Sequence, residues 1–261
     1  MENNIFKVKN LCFAYDENTP VLRHLDFSIK KGIVTTIIGA NGCGKSTLFQ
    51  VLVKNFKASI GNVKFNNINI DDFTIKEYSK LVAIVNQYNV APDDLTVKEV
   101  VQYGRTPHRK IIKNQKEIDY DDKKVEKAMK ITGVYKYKNK YINNLSGGQK
   151  QRVWIAMAIA QDTKVLFLDE PTTYLDIKYQ IQILKLIRNL NKKLGMTIIM
   201  ILHDINQVLE YSDEVIALSP NGEILGKGLS KEIITEENIK KMYDINLKII
   251  NLDDRKFVLT I

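Results

Sequence analysis

The sequence predicts an α/β fold interrupted by an all-helical insertion. Three observations predict it. Short β-branched runs alternate with helical patterns on both sides of the chain's middle. One such run leads straight into a glycine-rich turn and a helix. Residues 96–160 carry helical signals alone.

Residues 5–13 and 24–29 alternate apolar and polar side chains and read as strands, with turn signals at Asp16, Asn18 and Pro20 between them. Val34–Ile38 is a β-branched strand that ends at Gly39. From Lys45 the pattern is helical, with Leu48, Phe49, Leu52 and Val53 on one side. Leu81–Val85 is a further buried strand. Thr96-Val-Lys-Glu99 is a capping box, in which hydroxyl and carboxylate answer backbone donors left open at a helix start. In 119–132 the apolar positions Val125, Met129 and Ile131 stand among charges, as on a surface helix. Strand–helix alternation then resumes: Val165–Leu168, helix 178–194, Thr197–Leu202, helix 204–211, strand 214–218. Asn221-Gly222 is a hairpin turn signal. From 229 a short helical pattern leads to strand-like runs 246–251 and 256–261, joined by Asp253-Asp254.

Composition narrows the class. With 261 residues, 44% of them hydrophobic, the chain can bury a large core. Two cysteines, Cys12 and Cys43, exclude a disulfide framework and a four-ligand zinc site. The N-terminus lacks a secretory pattern, and no apolar run approaches the roughly 20 residues of a membrane span. The chain therefore reads as soluble, or peripheral to a membrane through a partner. Its net charge of +9 suggests an anionic partner: nucleic acid, nucleotide or membrane surface. Residues 105–140 hold 12 Lys or Arg against 5 Asp or Glu, so most of the excess sits in the helical insertion. The bases are 33 Lys and 6 Arg, with no stripe interleaved with aromatics, which speaks against reading of nucleic-acid bases.

Gly39, Ala40, Asn41, Gly42, Cys43, Gly44, Lys45 and Ser46 fit G-x-x-x-x-G-K-[ST] between a strand and a helix, with Thr47 next. Glycines let backbone N–H groups approach phosphate oxygens, and the helix N-terminus adds positive potential. Lys45 suits β/γ-phosphates, and the Ser46 hydroxyl suits Mg2+. Val165-Leu-Phe-Leu-Asp169-Glu170 is an apolar strand ending in two carboxylates. Asp169 suits a hard cation, and Glu170 suits a water that attacks phosphorus. Leu145-Ser-Gly-Gly-Gln149 opens the helix of 150–161 and offers a second anion site, redundant for one nucleotide unless it serves another molecule's site. Cys43, inside the loop, suggests that ATP slows thiol alkylation. His24 has no chemical partner in the sequence.

Together these motifs resemble the ATP-binding cassette (ABC) ATPases over roughly residues 5–245. Leu145–Gln149 is similar to the signature motif, Gln87 to the Q-loop glutamine, Thr173-Tyr-Leu-Asp176 to the D-loop, His203 to the switch histidine and Tyr15 to the aromatic that stacks on adenine. Tyr174 departs from the smaller residue common at its place. The resemblance implies a P-loop NTPase core, a RecA-like sheet plus an antiparallel β subdomain, with an inserted α-helical signature subdomain. It assigns 1–86 and 162–228 to the core, 87–161 to the helical subdomain and 229–261 to a small appendage.

The family implies a head-to-tail homodimer. Tyr15 and residues 39–47 of one subunit hold ATP, and Ser146, Gly147, Gly148, Gln149 and Asp176 of the other complete the site. Ser46, Gln87 and Asp169 would hold Mg2+. Lys45, Glu170, His203 and Gln87 would carry catalysis. Segments 151–163, 171–176, 202–206 and Gly104-Arg-Thr-Pro-His108 resemble the subgroup that imports ferric siderophores, haem or vitamin B12. That implies two permease subunits, an extracytoplasmic solute-binding protein acting indirectly, and a place on the cytoplasmic face of the membrane. A ferric siderophore is the favoured solute. Cobalamin or another metal chelate is the alternative, and a nucleic-acid-associated ABC ATPase the more distant one.

Overall fold

The alternating N-terminal residues form two long strands, β1 (Asn4–Ala14) and β2 (Pro20–Lys30), in the computed structural model, which describes residues 3–16, 19–109, 115–253 and 255–259. Asn18, Asp254, Thr260, Ile261 and 110–114, which figure in the sequence expectations, lie outside the described residues. The chain continues through β3 (Val34–Ile38), α1 (Lys45–Leu52), β4 (Ile60–Phe65), β5 (Ile68–Asn69), α2 (Ile75–Tyr78), β6 (Val82–Val85), α3 (Val97–Gln102), α4 (Gln115–Thr132) and α5 (Gly147–Ala160). Then follow β7 (Val165–Leu168), α6 (Ile177–Leu194), β8 (Thr197–Ile201), α7 (Ile205–Tyr211), β9 (Glu214–Leu218), β10 (Ile224–Leu229), α8 (Ser230–Ile233), α9 (Glu236–Tyr243), β11 (Lys248–Leu252) and β12 (Arg255–Leu259). Contacts group these into two units, Met1–Phe73 with Asn191–Ile261, and Thr74–Leu190. The expected helical segment 87–161 lies whole within the second.

The first unit holds an antiparallel sheet, β2-β1-β4-β5, and a second group in which β3 runs parallel to β8 and β9, with β10 antiparallel on β9. β3, β8 and β9 are buried at every position, Thr35, Thr36, Thr197 and Glu214 included, so their side chains show no alternation of buried and exposed. β4 was not expected. Gly61 and Asn62 interrupt its apolar pattern, and its place is set by pairing across β1, where Phe6 opposes Phe65 with rings edge-on at 5.2 Å. Asn221-Gly222 does turn β9 into β10.

In the second unit β6 and β7 pair in parallel, Val82 with Val165 through Val85 with Leu168. The Thr96–Glu99 capping box forms. Glu99 accepts the Thr96 N–H at 2.8 Å, and Thr96 accepts the Glu99 N–H at 3.3 Å. α3, α4 and α5 pack through Val97, Val100, Val101, Val125, Met129, Val153 and Ile155. Arg105 is buried, pairs with Asp121 at 2.8 Å and donates to the Ala160 carbonyl, while the His108 ring meets the Gln161 carbonyl at 2.9 Å. The Gly-Arg-Thr-Pro-His element thus answers the open carbonyls at the end of α5. It is a packing element of this unit.

The insertion does interleave lysines with aromatics, contrary to the sequence reading. Lys130 and Lys138 lie 5.1 and 4.7 Å from the Tyr135 ring, and Lys136 and Lys140 lie 5.0 and 5.5 Å from Tyr137. No helix among the described residues is long and apolar enough to cross a membrane.

One buried charge ties the first unit together. Glu214 of β9 is 3% exposed and pairs with Lys30 of β2 at 2.6 Å and Lys227 of β10 at 3.2 Å. Burial pushes its carboxyl up, but the two ammonium groups outweigh burial and hold it below the usual carboxylate range. A lowered folded-state pKa contributes stability above the unfolded value and loses it as pH falls through the folded one. Glu214→Gln should therefore cost roughly 1–3 kcal/mol at neutral pH, and the gap between its melting temperature and the parent's should narrow in acid. An unchanged gap across the carboxylate range would remove Glu214 as the cause.

Candidate active site

The first unit builds a phosphate loop. β3 delivers the chain to Gly39 at φ 150°, where a Cβ would lie 2.6 Å from the Cys43 sulfur and 2.8 Å from the Leu218 carbonyl oxygen, so a side chain has no room. α1 starts at Lys45. Its N-cap, Gly44, has no side chain to answer the first N–H groups, and no acid occupies the first turn. The helix therefore presents open donors and the positive end of its dipole. Lys45 is 5% exposed and folds over the loop, donating to the carbonyls of Gly39 at 2.9 Å and Ala40 at 2.8 Å. Asn41, Gly42 and Ser46 are exposed, and Thr47 is buried.

The Tyr15 hydroxyl lies 3.1 Å from the Thr47 hydroxyl, which places the expected adenine-stacking ring beside α1. Tyr15 is largely exposed and stands edge-on to Phe13 and Phe56, which stack on each other at 5.3 Å. Phe56 belongs to no motif, and nothing in the sequence singled it out. His203 follows β8 and is exposed, and Asp204 beside it caps α7 by accepting the Gln207 N–H at 3.0 Å.

Cys43 is 2% exposed, and burial pushes its thiol up, so the side chain fills the inside of the loop. The Tyr243 hydroxyl of α9 is buried in the same neighbourhood, with Gly39 and Cys43 acting on it, and burial pushes it up to about 12. His24 also gains partners. Its Nδ1 lies 2.7 Å from the Asn10 side-chain oxygen and 3.6 Å from the Cys12 sulfur.

The second unit brings the other expected groups together. Asp169 follows β7, is 7% exposed, and its N–H donates to the Val85 carbonyl. Glu170 follows at φ 47°, in the left-handed region. Its Oε2 accepts from Gln87 Nε2 at 2.7 Å and from the Thr173 hydroxyl at 2.9 Å. Gln87 and Glu170, 83 residues apart, are thus in direct contact. The sequence marks Thr173 only as the first residue of Thr173–Asp176; a hydroxyl three residues beyond a carboxylate is the signal for this contact.

Ser146 caps α5, and its N–H donates to Gln149 Oε1 at 3.1 Å, while Gln149 Nε2 donates to the Tyr137 hydroxyl at 3.1 Å. Ser146 and Gly147 are exposed, as an anion site requires. Gly148 is buried, and a Cβ there would lie 2.7 Å from the Tyr179 ring, so this glycine serves the close packing of α5 on α6. Asp176 caps α6, its Oδ1 accepting the Tyr179 N–H at 3.1 Å.

The ABC transporter family matches residues 22–173. The chain is 40% identical over 247 residues to the iron(3+)-hydroxamate import ATP-binding protein FhuC of Bacillus subtilis, covering 95% of this chain and 90% of that one. It is 39% identical to the ferric enterobactin transport ATP-binding protein FepC of Escherichia coli, covering 93% and 88%. Among solved structures it is similar to the dimeric bacterial ABC transporter cassette MJ0796, with a TM-score of 0.74 and 28% identity over 86% of this chain and 98% of that one. The phosphate loop, the β7 carboxylates and these relatives agree: the chain belongs to the ABC transporter family and is one of its ATP-hydrolysing members.

Proposed function

We propose that this chain is the ATPase subunit of an importer for a ferric siderophore or a similar iron chelate. Similarity over nearly the full length to relatives named for iron(3+)-hydroxamate and ferric enterobactin carries the solute class. The contact of Gln87 with Glu170 carries the assignment of the hydrolytic group. Two copies pair head to tail, a reading that the dimeric cassette MJ0796 supports. Exposed Ser146, Gly147 and Asp176 belong to the surface offered to the second copy's nucleotide. Two permease subunits hold the pair at the cytoplasmic face of the membrane, and the solute-binding protein acts on those permeases.

The residues fit Mg2+. This ion prefers oxygen ligands and usually binds through one or two carboxylates plus substrate phosphates. No cluster of three or more Asp, Glu, His or Cys exists among the described residues, so an ion that arrives with the nucleotide suits the chain better than a resident one. Ser46, Asp169 and the Gln87 amide oxygen would hold it, and a buried carboxylate such as Asp169 favours a cation at hand. When bound, Mg2+ neutralises charge on the β- and γ-phosphate oxygens.

The open N–H groups of the loop and Lys45 bind phosphate oxygens and stabilise charge on the transferring group. Lys45 would exchange its carbonyl partners for those oxygens. Glu170 accepts a proton from the attacking water, and Gln87 and Thr173 orient the carboxylate. His203 holds the γ-phosphate and the water in line.

Glu170→Gln should reduce turnover at least about 100-fold while leaving ATP binding intact, because the amide keeps the shape and loses the base. Near-normal hydrolysis by this variant would remove Glu170 from the role. Lys45→Ala should weaken nucleotide affinity or turnover by roughly 100-fold, since one charged contact to phosphate is lost in a buried place. Titration with a fluorescent ATP analogue together with phosphate release reads both effects, and normal values would reject the phosphate-loop assignment.

A further inference from the structure

Past β6 and β7 the backbone ladder ends, and side chains continue it. The last backbone bond runs from the Asp169 N–H to the Val85 carbonyl at 2.9 Å. Next comes Gln87 with Glu170 at 2.7 Å, and then the hydroxyls of Tyr88 and Tyr174, also 2.7 Å apart. The two rings lie 6.0 Å apart at an interplanar angle of 40°. Glu170 and Tyr174, at φ 47° and 63°, both occupy the left-handed region that L side chains rarely adopt. Such a segment persists only where its surroundings over-determine it. Inside it, Thr173 N–H reaches the Glu170 carbonyl and Leu175 N–H the Thr172 carbonyl, and both bonds are long, at 3.2 and 3.3 Å. The contact between the tyrosine hydroxyls is the shorter tie, and it anchors the segment to the stretch that follows β6. Both tyrosines are largely exposed, at 65% and 80%, so packing alone does not hold them.

We propose that Tyr88 and Tyr174 are positioning residues for hydrolysis. Their hydroxyl–hydroxyl bond fixes the loop that carries Glu170 against the loop that carries Gln87, and so sets where the Glu170 carboxylate points. The proposal rests on Glu170 as the group that takes the water's proton. It gives a task to the tyrosine at 174 and makes that task depend on Tyr88.

The test is a double-mutant cycle on the full-length chain, with Tyr88→Phe, Tyr174→Phe and both together, measured as steady-state hydrolysis of ATP with Mg2+. Each single change should lower kcat roughly threefold to fivefold, the scale of one hydrogen bond. KM for ATP should stay within about twofold, because the phosphate loop is untouched. The double variant should be no slower than the slower single one, because both remove the same bond. Unchanged kcat in the singles overturns the proposal. So do losses that multiply in the double variant, or a kcat loss accompanied by a matching rise in KM or by a fallen melting temperature. Glu170→Gln runs alongside. If it is inactive while the tyrosine variants behave as the parent, the tyrosine proposal alone fails. If it hydrolyses ATP normally, the Glu170 reading fails and takes this proposal with it.

Discussion

Lys45 is an ammonium group at 5% exposure whose partners are two backbone carbonyls. A cation so placed is expensive unless hydrogen bonds answer it, and much of the first unit exists to supply them. The carbonyl of Gly39 is available because a residue without Cβ lets the chain turn between Cys43 and Leu218. That turn holds its place because β3, β8 and β9 are buried along their whole length and admit no slippage of register. Carbonyls also suit the proposed exchange of this ammonium to phosphate oxygens. A carboxylate would bind the ammonium more strongly and compete with phosphate, whereas two neutral acceptors are readily replaced by charged oxygens.

The second unit solves a different problem with the same economy of means. A carboxylate proposed to take a proton from water must be held in one direction without being neutralised. Gln87 and Thr173 are neutral donors, so they orient Glu170 and leave its charge intact. The left-handed backbone at Glu170 carries the carboxylate away from the line of β7, whose other residues point into the core. Asp169, one residue earlier, stays buried. Two adjacent acids thereby acquire different surroundings from a single backbone change, which is a common way for one segment to serve two chemical tasks.

The fold class and the phosphate loop were legible because they rest on local rules: burial on both faces makes apolar runs, and a glycine pattern makes an anion cradle. The strand at 60–65 was not legible, since Gly61 and Asn62 break its alternation and pairing with β1 alone defines it. The sequence also could not separate ligand-facing from packing glycines. Gly147 and Gly148 are neighbours, yet one is exposed and the other lies against Tyr179. Family likeness marks Asp176 as a site residue and Gly104–His108 as a subgroup element, and neither reading shows the local task each has as a helix cap or a carbonyl partner. Tyr88 was invisible beforehand because its partner lies 86 residues away.

The basic insertion is best understood through its tyrosines. Four lysines lie over the rings of Tyr135 and Tyr137 at 4.7 to 5.5 Å. A ring face attracts a cation but does not neutralise it, so the segment keeps its positive field while its lysines are held near fixed positions. The same contacts occupy the faces on which an unstacked base would lie, and stacking on free aromatic faces is a main source of affinity for single-stranded nucleic acid. The positive field reaches about 8 Å at physiological salt. It acts on any anionic surface within that distance, without regard to sequence.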